Sequence, residues 1–484
     1  MLGSVLARQT ETVIQNKYPR GLNRLRYLAD GLVVVSKQPK RFKWAVQDGK
    51  KFNKKLARIQ QRVRTLEEML GHDQMTILVR GINEFKLHLL QLTTDVSQMR
   101  ALWQSQYNQT PSLDGSTLVD GRPARHSALV SSDAAEARFT AFLNAAIAFS
   151  IEVNEPGTPG KLELSPSEVA ASGVVGTSKN EKNRWVEWKR YDVDDAIKRT
   201  PSEDDVVRVK RLVSLLLAQK KPVEFCVPPC LGYFIDKPEN RRFGLVFEPP
   251  ENASSLPTSL LTSFKTRGIS LATRMNIAQQ LSQWLLYMHA VNWLHKGIRS
   301  DNVWFFHAGG PKDYRQAYIS GFDYSRMSKG DPTTAGPSAT DESWAWYIHP
   351  DYQGSRRGLG FRKTYDMYSL GIILIELAFW QPMPAIVEDS RKPKMESGAA
   401  IGPESTMTAI QKLRARLLSG EMDVLERVQE LTGPKYYSAT RACLEGMLSF
   451  GLAEENNQAE PAVGAHIQRA FVEQVVDCLQ SIVV

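Results

Sequence analysis

The chain contains little of what marks a secreted or metal-stabilised protein. Only four cysteines occur among 484 residues, which is too few for a disulfide framework and is typical of a reducing compartment. Cys226 and Cys230 are separated by Val-Pro-Pro, and no second Cys/His pair follows at zinc spacing. We therefore predict no metal site and expect both thiols to lie buried beside a strand.

Long apolar runs are missing as well. The longest, from Leu370 to Trp380, is interrupted by Glu376 and is far shorter than the roughly 20 residues that cross a membrane. Met1 to Arg8 contains only a short apolar stretch, which does not make a signal peptide. Since 42% of the residues are hydrophobic and 23% are charged, we expect a soluble, cytoplasmic protein with a sizeable core.

Acidic residues are scarce at the N-terminal end. Residues 1–110 contain 19 Lys/Arg and 8 Asp/Glu, whereas the remainder contains 42 and 44, so the formal charge of +9 comes from the N-terminal segment. Segment 37–64 holds eleven basic residues and one acidic residue, Asp48. The segment is either a solvated helical face, which we favour, or a surface for anionic lipid or nucleic acid. Phe42 and Trp44 within it either close a helical core or wedge into a membrane interface.

Helical periodicity dominates the first 105 residues. Apolar residues recur every three or four positions from Phe52 to Leu70 and again from Leu78 to Met99, which places each set on one helical stripe. Gly71-His72-Asp73 interrupts the pattern, so the two helices should pack antiparallel. Further apolar residues between Leu22 and Val35 predict a third helix. We assign residues 1–105 to an α-helical bundle.

Linker and strand patterns follow the bundle. Residues 106–160 are rich in polar residues, Gly and Pro, and we assign them to a linker in which alanine-rich Asp133 to Phe149 predicts a helix. Beyond it, Arg184 to Tyr191 alternates as a strand does, and Val206 to Leu217 has helical spacing. A hairpin is predicted from two further strand patterns that flank a turn, Cys230 to Ile235 and Phe243 to Glu248.

Helices alone are predicted after this strand-rich part. Their apolar patterns cover Leu256 to Phe264, Leu271 to Ala290, Tyr365 to Phe379, Thr406 to Leu418 and Ile467 to Leu479. We therefore assign residues 161–484 to one α+β domain, with a small strand-rich lobe at 161–250 and a larger helical lobe at 251–484.

The most specific motif is the run LHKGIRSDNV from Leu294 to Val303. It resembles the catalytic loop of the protein-kinase family, H-R-D-L-x-x-x-N, which also lies between a long helix and an apolar strand. His295, expected to be structural, and Asn302 match this motif, while Arg299 replaces the loop lysine and would contact phosphate or an acidic neighbour. The resemblance implies that Gly297 stands at the position of the catalytic Asp, which orients the substrate hydroxyl. Glycine has no group to do this.

A second kinase motif, D-F-G, is degenerate in the same way. Tyr318 to Asp323 resembles this motif and the strand before it, and Phe322 matches the central Phe. Gly321 replaces the Asp that binds Mg²⁺, while Asp323 follows two residues later. In an extended segment, positions 321 and 323 lie roughly 6–7 Å apart. This distance is far longer than a Mg–oxygen bond of about 2.1 Å. The resemblance therefore implies a bilobal kinase fold that lacks both carboxylates of catalysis, which is a pseudokinase.

Two other matches concern structural elements of the kinase large lobe. Tyr347 to Asp351 resembles the A-P-E anchor, and Asp366 to Gly371 matches the D-x-[WY]-S-x-G start of the core helix. The resemblance implies that the Asp366 carboxylate holds the backbone of the catalytic loop. We expect structural roles for Phe322, Asp323, Asp351 and Asp366.

The small lobe matches the kinase pattern less well. Val186 to Lys189 resembles the V-A-I-K strand, so Lys189 is either the phosphate-contacting lysine or an ordinary lysine of an edge strand. Its usual glutamate partner is missing, because we expect the next helix to begin after Glu203. Gly173 and Gly176 do not form G-x-G-x-x-G, and such a loop is what brings backbone amides close to phosphates. Lys189 and Asn302 are thus the candidate contacts for ATP and Mg²⁺, whose binding is left open.

The N-terminal part resembles a different family. Pro39 to Phe52 and the heptad-patterned helix after it resemble the later helices of fungal prion-inhibition-and-propagation (HeLo) domains, over roughly Arg20 to Met99. The resemblance implies a helical bundle of the kind found in heterokaryon-incompatibility and cell-death proteins, some of which insert an apolar first helix into membrane. This chain begins Met1-Leu2-Gly3-Ser4 and soon turns polar. We therefore expect a truncated bundle and do not carry over a killing activity.

Three functions are consistent with these patterns. The first is a catalytically inactive signalling or scaffold protein whose kinase-like half binds a protein partner, in incompatibility or cell-death signalling. The second is an atypical Ser/Thr kinase that uses Lys189, Arg299, Asn302 and a displaced Asp. The third is a basic arm, residues 37–64, that binds anionic lipid or nucleic acid. Affinity for Mg²⁺-ATP separates the first two, because phosphoryl transfer depends on metal and phosphate contacts.

Overall fold

A computed structural model describes most of the chain beyond residue 160 and two helices before it. The described residues are 72–92, 134–154, 162–171, 184–191, 200–218, 221–251, 253, 257–307, 313–328, 341–353, 360–391 and 406–483. The predicted helices before Leu70, the basic segment 37–64, and Gly173 and Gly176 lie outside them. The chain divides into two compact units, residues 1–151 with 460–465, and residues 152–459 with 466–484.

The described part of the first unit contains two long helices, α1 (His72–Leu92) and α2 (Ala134–Asn154). Helix α1 includes His72 and Asp73, which the apolar pattern assigned to a break. A polar first turn does not prevent a helix. Helix α2 confirms the helix predicted at Asp133 to Phe149 and extends it by five residues to Asn154.

Buried polar side chains join α1 to α2. Asn83 Nδ2 donates to Glu136 Oε1 at 2.6 Å and to Thr140 Oγ1 at 2.8 Å. One turn further along α1, Lys86 Nζ donates to Asn144 Oδ1 at 3.1 Å. Helices α1 and α2 therefore pack together, and the assignment of residues 106–160 to a linker that contains a helix stays a prediction.

The second unit begins with a three-stranded antiparallel sheet. The elements of this part of the unit are, in chain order, α3 (Pro166–Ala171), β1 (Trp185–Arg190), α4 (Glu203–Leu217), β2 (Cys230–Ile235) and β3 (Arg242–Phe247). The strand order is β1-β3-β2. Strands β2 and β3 form the predicted hairpin, and the Asp236 carboxylate closes its turn by accepting from Arg242 Nε at 2.6 Å and Asn240 Nδ2 at 2.8 Å.

The expected start of helix α4 is wrong. The helix begins at Glu203 rather than at Val206, because Ser202 and Asp205 form a capping box before the first apolar residue. Ser202 Oγ accepts from the Asp205 amide at 3.1 Å, and Asp205 Oδ2 accepts from the Ser202 amide at 3.2 Å. Such reciprocal bonds satisfy amides at a helix start that have no partner within the helix.

Helices dominate the chain from residue 257 onwards. They are α5 (Leu260–Ser263), α6 (Leu271–Ala290), α7 (Glu342–Ala345), α8 (Pro350–Gln353), α9 (Lys363–Phe379), α10 (Met383–Arg391), α11 (Thr406–Ser419), α12 (Val424–Thr432), α13 (Pro434–Glu445), α14 (Pro461–Phe471) and α15 (Asp477–Gln480). A π-helical turn at Val472–Val476 joins α14 to α15. The short strands are β4 (Thr258–Ser259), β5 (Trp293–Leu294), β6 (Val303–Phe305), β7 (Tyr318–Ile319) and β8 (Arg326–Met327).

Of the five helices predicted after residue 250, four are confirmed and one is largely wrong. Most ends of the four confirmed helices agree with the prediction to within a few residues. Helix α6 has the predicted ends, because Ser270 caps its first turn. The helix predicted at Leu256 to Phe264 is limited to Leu260–Ser263, since Thr258–Ser259 pairs with β6 instead. Helices α10, α12 and α13 were not predicted, because they are short and follow one another closely, which obscures their separate periods.

Helix α9 forms the centre of the helical lobe and packs against α6 and α13. Its residues are buried from Lys363 to Ala378. A Cβ on Gly371 would lie 3.0 Å from Leu444 Cδ2, so the glycine allows α13 to approach closely. Within the described residues, no single helix is both long and apolar enough to cross a membrane.

Candidate active site

The loop that contains His295 is held by the first turn of helix α9. Asp366 Oδ2 accepts from the His295 amide at 2.8 Å, and Oδ1 accepts from the Lys296 amide at 2.9 Å. His289 Nε2 lies 3.3 Å from Asp366 Oδ2, and burial lowers the pKa of this histidine. Asp366, His289 and His295 are all completely buried. The carboxylate thus fixes the backbone of the loop with two charge-assisted hydrogen bonds.

The His295 side chain belongs to the core. Its ring packs edge-on against Trp284, with 5.2 Å between centroids, and against Phe322, with 4.9 Å. Burial lowers the pKa of His295 to about 4, so the imidazole is neutral at physiological pH. These contacts hold the loop onto helix α6 and onto the segment that follows β7.

Gly297, Asn302 and Gly321 lie in contact. Asn302 occupies the position of a side chain at residue 321, and the Gly321 carbonyl oxygen occupies that of a side chain at residue 297. Asn302 Nδ2 donates to the Gly297 carbonyl at 2.7 Å. A Cβ on Gly321 would lie 2.1 Å from Asn302 Nδ2, and a Cβ on Gly297 would lie 2.9 Å from the Gly321 carbonyl oxygen. Both distances are shorter than non-bonded contacts allow. Neither position has room for a side chain while the other two residues stay in place.

The segment after Gly321 is not extended, so the sequence-based distance between positions 321 and 323 does not apply. Gly321 has φ +84°, in the left-handed region that favours glycine. A 3₁₀ turn follows at Phe322–Tyr324. Asp323 in this turn is mostly buried, which raises the pKa of its carboxyl group, while the charge of Lys189 opposes that shift.

Lys189 is buried and contacts this segment. It lies on β1, and its Nζ donates to the carbonyl oxygens of Asp323 at 2.8 Å and Ser325 at 2.9 Å. Burial lowers the pKa of Lys189 to about 8. Only 8% of the residue is exposed, unlike the solvated lysine of an ordinary edge strand.

Glu187 was not singled out from the sequence, yet it contacts the same segment from the same face of β1. Its Oε2 accepts from the Gly321 amide at 3.0 Å and from the Phe322 amide at 2.9 Å. Burial raises the pKa of Glu187 to about 7. The only feature of the sequence that indicates this role is that the glutamate occupies an inward-facing position in the alternating pattern of the strand.

Aromatic rings pack between the sheet and the strand that follows the loop. The ring of Trp185 stacks on Phe247, with 5.6 Å between centroids, and lies 5.1 Å from Trp304 and 5.9 Å from Phe306. Phe247 in turn stacks on Phe322 at 6.4 Å. One aromatic cluster therefore links β1 and β3 to the segments around β6 and Gly321.

Comparison with known proteins finds similarities for both parts of the chain. Residues 3–102 match the family model HeLo, described as prion-inhibition and propagation. Over 157 residues, 30% of this chain, the sequence is 26% identical to Kinase suppressor of Ras A of Caenorhabditis elegans. Over 173 residues, 35% of this chain, it is 27% identical to the G-type lectin S-receptor-like serine/threonine-protein kinase SD1-13 of Arabidopsis thaliana. The matched region spans 19% of the length of each of these relatives.

The chain has an N-terminal HeLo domain, and its downstream region shows weak homology to protein kinases. The α+β class, with a helical part followed by a kinase-like region, is thereby confirmed. The predicted limits at residues 105, 160 and 250 stay predictions.

Arg299 of the kinase-like region contacts neighbouring side chains. Its Nη2 lies 3.1 Å from Asp301 Oδ2, and its guanidinium stacks 4.1 Å above the ring of Trp344. Its Nη1 lies 3.4 Å from Ser343 Oγ. The contact with Asp301 is one of the two that were expected, and a contact of Arg299 with phosphate stays a prediction.

The segment that resembles A-P-E packs against the core helix. The Asp351 amide donates to His349 Nδ1 at 3.2 Å, and the His349 ring stacks on Tyr365 at 4.5 Å. Tyr347 Oη donates to Glu376 Oε1 at 2.8 Å and lies 2.7 Å from Ser300 Oγ. Glu376 was noted in the sequence only as an interruption of an apolar run.

Cysteine and acidic side chains do not form a metal centre in the described regions. No group of three or more His, Cys, Asp or Glu side chains there is placed to hold a metal ion. Cys226 and Cys230 are both buried, as expected, and burial raises the pKa of these thiols to about 11 and about 12.

Proposed function

We propose that the kinase-like region is a catalytically inactive signalling module that acts by binding a protein partner. The observation that carries this proposal is the mutual packing of Gly297, Asn302 and Gly321. Protein kinases need a carboxylate to orient the substrate hydroxyl and another to hold Mg²⁺. This chain has glycine at both positions, and neither glycine has space for a side chain.

The remaining polar groups of the motif are engaged within the chain. Asn302 donates to Gly297, and Lys189 donates to two main-chain carbonyls. For Lys189 to contact a phosphate, it would have to give up two hydrogen bonds made in a buried environment, where such bonds are costly to lose. These contacts argue against the alternative of an atypical Ser/Thr kinase, which would use Lys189, Arg299, Asn302 and a displaced Asp.

The HeLo domain supports a role in signalling. We propose that it places the chain in fungal incompatibility or regulated cell-death signalling, and that the kinase-like region receives or transmits the signal through protein contacts. The basic segment 37–64, which overlaps this domain, remains a candidate surface for anionic lipid or nucleic acid. Steep loss of liposome or DNA binding between low and physiological salt would support that third function.

Calorimetric titration of the full chain with ATP, with and without Mg²⁺, tests the proposal. We expect no saturable heat in either condition. Binding that tightens with Mg²⁺ and disappears in Lys189→Ala would contradict it and favour phosphoryl transfer. Lys210→Ala is the matched control, because Lys210 lies on α4 with an exposed side chain. Circular dichroism of both variants shows whether a loss of binding reflects a loss of fold.

A further inference from the structure

Strand β1 carries two buried side chains of opposite charge on one face. Glu187 and Lys189 are two residues apart, so both point to the same side of the sheet. Each residue is 8% exposed. Burying a charge is unfavourable unless hydrogen bonds replace the water that it loses, so the groups that satisfy these side chains indicate what they do.

The partners of both side chains are main-chain groups of one short segment, residues 321–325. The Glu187 carboxylate accepts from two successive amides of this segment, and the Lys189 ammonium donates to two of its carbonyls. Four hydrogen bonds thus join the strand-rich lobe to the segment after β7. Burial raises the pKa of Glu187 to about 7, so above that pH its carboxylate is ionised, and hydrogen bonds to an ionised group are roughly twice as strong as neutral ones.

The two amides form a concave anion site. Gly321 is left-handed and Phe322 begins a right-handed 3₁₀ turn, a combination that points successive amides toward one spot. The carboxylate of Glu187 occupies that spot. Both bonds to these amides are made by Glu187 Oε2, while the other oxygen, Oε1, is buried and makes no bond to them.

We propose that Glu187 and Lys189 form an internal lock, in which a carboxylate of the chain itself fills the anion site at Gly321 and Phe322 and holds the two lobes in one closed arrangement without a bound ligand. The aromatic cluster around Trp185 and Phe247 packs beside the lock and excludes water from it. A partner of the kinase-like region would then meet a single preformed surface. The lock concerns the arrangement of the two lobes and is therefore distinct from the proposed lack of catalysis.

Hydrogen exchange of the full chain tests the lock. In Glu187→Ala we expect the amides of Gly321 and Phe322 to exchange at least about tenfold faster than in the unchanged protein, since a charge-assisted bond is lost at each. Glu239→Ala is the control, because Glu239 is an exposed residue in the turn between β2 and β3. Unchanged exchange of both amides in Glu187→Ala would overturn the lock.

Small carboxylates provide a second readout. The space left by Glu187→Ala should take formate or acetate, so either ion should raise the Tm of this variant in a saturable way. Chloride at the same ionic strength should not. Equal effects of chloride and formate would mean that the rise in Tm is a general salt effect and not the result of a carboxylate bound at the two amides, and the proposal would then fail.

Glu187→Gln serves if the alanine variant does not fold. Glutamine keeps an acceptor oxygen but has no charge, so we expect faster exchange of the same two amides with the fold intact. Exchange at the original rate would count against the lock. The exchange experiment contains no nucleotide. Saturable binding of ATP in the calorimetric titration would therefore contradict the proposed function but not the lock, which the exchange rates alone decide.

Discussion

The side-chain amide of Asn302 lies where the first side-chain atom of residue 321 would be placed. A Cβ on Gly321 would fall 2.1 Å from Asn302 Nδ2. The amide is held in this position because it donates to the Gly297 carbonyl at 2.7 Å. The two glycines and the asparagine therefore depend on one another, and a change at one glycine toward the kinase motif conflicts with the other two residues.

Gly321→Ala should destabilise the protein more than an alanine at another left-handed glycine. The left-handed backbone costs about 1–2 kcal/mol, and overpacking against Asn302 adds about 1–3 kcal/mol. Gly420 is the matched control, because it has φ +75° and no atom within 4 Å of where its Cβ would lie. Denaturant unfolding measures both losses. Equal losses would show that Asn302 moves aside freely.

Restoring both carboxylates should not restore catalysis. In Gly297→Asp/Gly321→Asp, each new side chain meets atoms that already occupy its position, so we expect no transfer of labelled phosphate from Mg²⁺-ATP to added protein substrates or to the chain itself. The unchanged protein and a preparation without Mg²⁺ are the controls. Transfer by the double variant above both controls would show that the site rearranges easily and that the packing of Gly297, Asn302 and Gly321 does not prevent catalysis.

Asp366→Asn should cost about 3–5 kcal/mol of unfolding free energy. The carboxylate accepts from two main-chain amides with its two oxygens, whereas asparagine would turn an NH₂ group toward one of them and leave buried donors facing each other. Asp204→Asn changes the same atoms on an exposed residue and should have little effect. A similarly small effect of Asp366→Asn would mean that the loop backbone is held by other contacts.

Local motifs predicted which residues meet, but not how they are packed. The order of the motifs predicted that His295, Asn302 and Asp366 meet around one loop, and the structure brings the three residues together there. The extended geometry expected after Gly321 was wrong, since a single left-handed glycine redirects the chain and nothing in the neighbouring residues requires it. The fit of Asn302 against Gly321 depends on tertiary distances that no spacing along the chain encodes.

Buried acidic residues were the main omission from the sequence-based prediction. Glu187 lies within a strand pattern and Glu376 within an apolar run, and in a sequence both look like interruptions. Their roles depend on partners far along the chain, the amides of residues 321 and 322 for Glu187 and the Tyr347 hydroxyl for Glu376. A charged residue inside an otherwise apolar run is a usable signal, because burial of an unpaired charge is rarely tolerated.

Glu376 should make the stability of the kinase-like region depend on pH. Burial raises the pKa of this carboxyl group from 4.5 to about 7, so the folded state binds a proton that the unfolded state has released. The stabilising contribution is complete below about pH 4.5 and is lost as the pH rises through about 7, by about 3 kcal/mol in total.

Comparison with Glu376→Gln isolates this contribution. The variant keeps an oxygen that can accept from Tyr347 Oη and the Met383 amide, both of which bond to Glu376 Oε1 at 2.8 Å. Denaturant unfolding from pH 5 to pH 8 should show a steeper loss of stability for the unchanged protein than for the variant. Parallel pH curves would show that Glu376 is ionised throughout this range.

The polar contacts between α1 and α2 lead to two predictions, one of lower stability and one of no loss of stability. Asn83 donates to the Glu136 carboxylate at 2.6 Å, so Asn83→Asp would place two buried carboxylates against each other and destabilise the first unit. Asn144 accepts from Lys86 Nζ, so Asn144→Asp makes the same chemical change beside a cation. Burial lowers the pKa of Lys86 to about 8, and a carboxylate next to it would favour its charged form.

Limited proteolysis of the full chain separates the two variants. In Asn83→Asp we expect faster cleavage within residues 72–154 at pH 7.5 than at pH 5, because a proton shared by two carboxylates relieves their repulsion. In Asn144→Asp cleavage should be no faster than in the unchanged protein. If both variants are cleaved at the original rate, the packing of α2 against α1 does not depend on these polar contacts. If both are cleaved faster, the site rejects any charge, and the polar contacts serve only to satisfy buried hydrogen bonds.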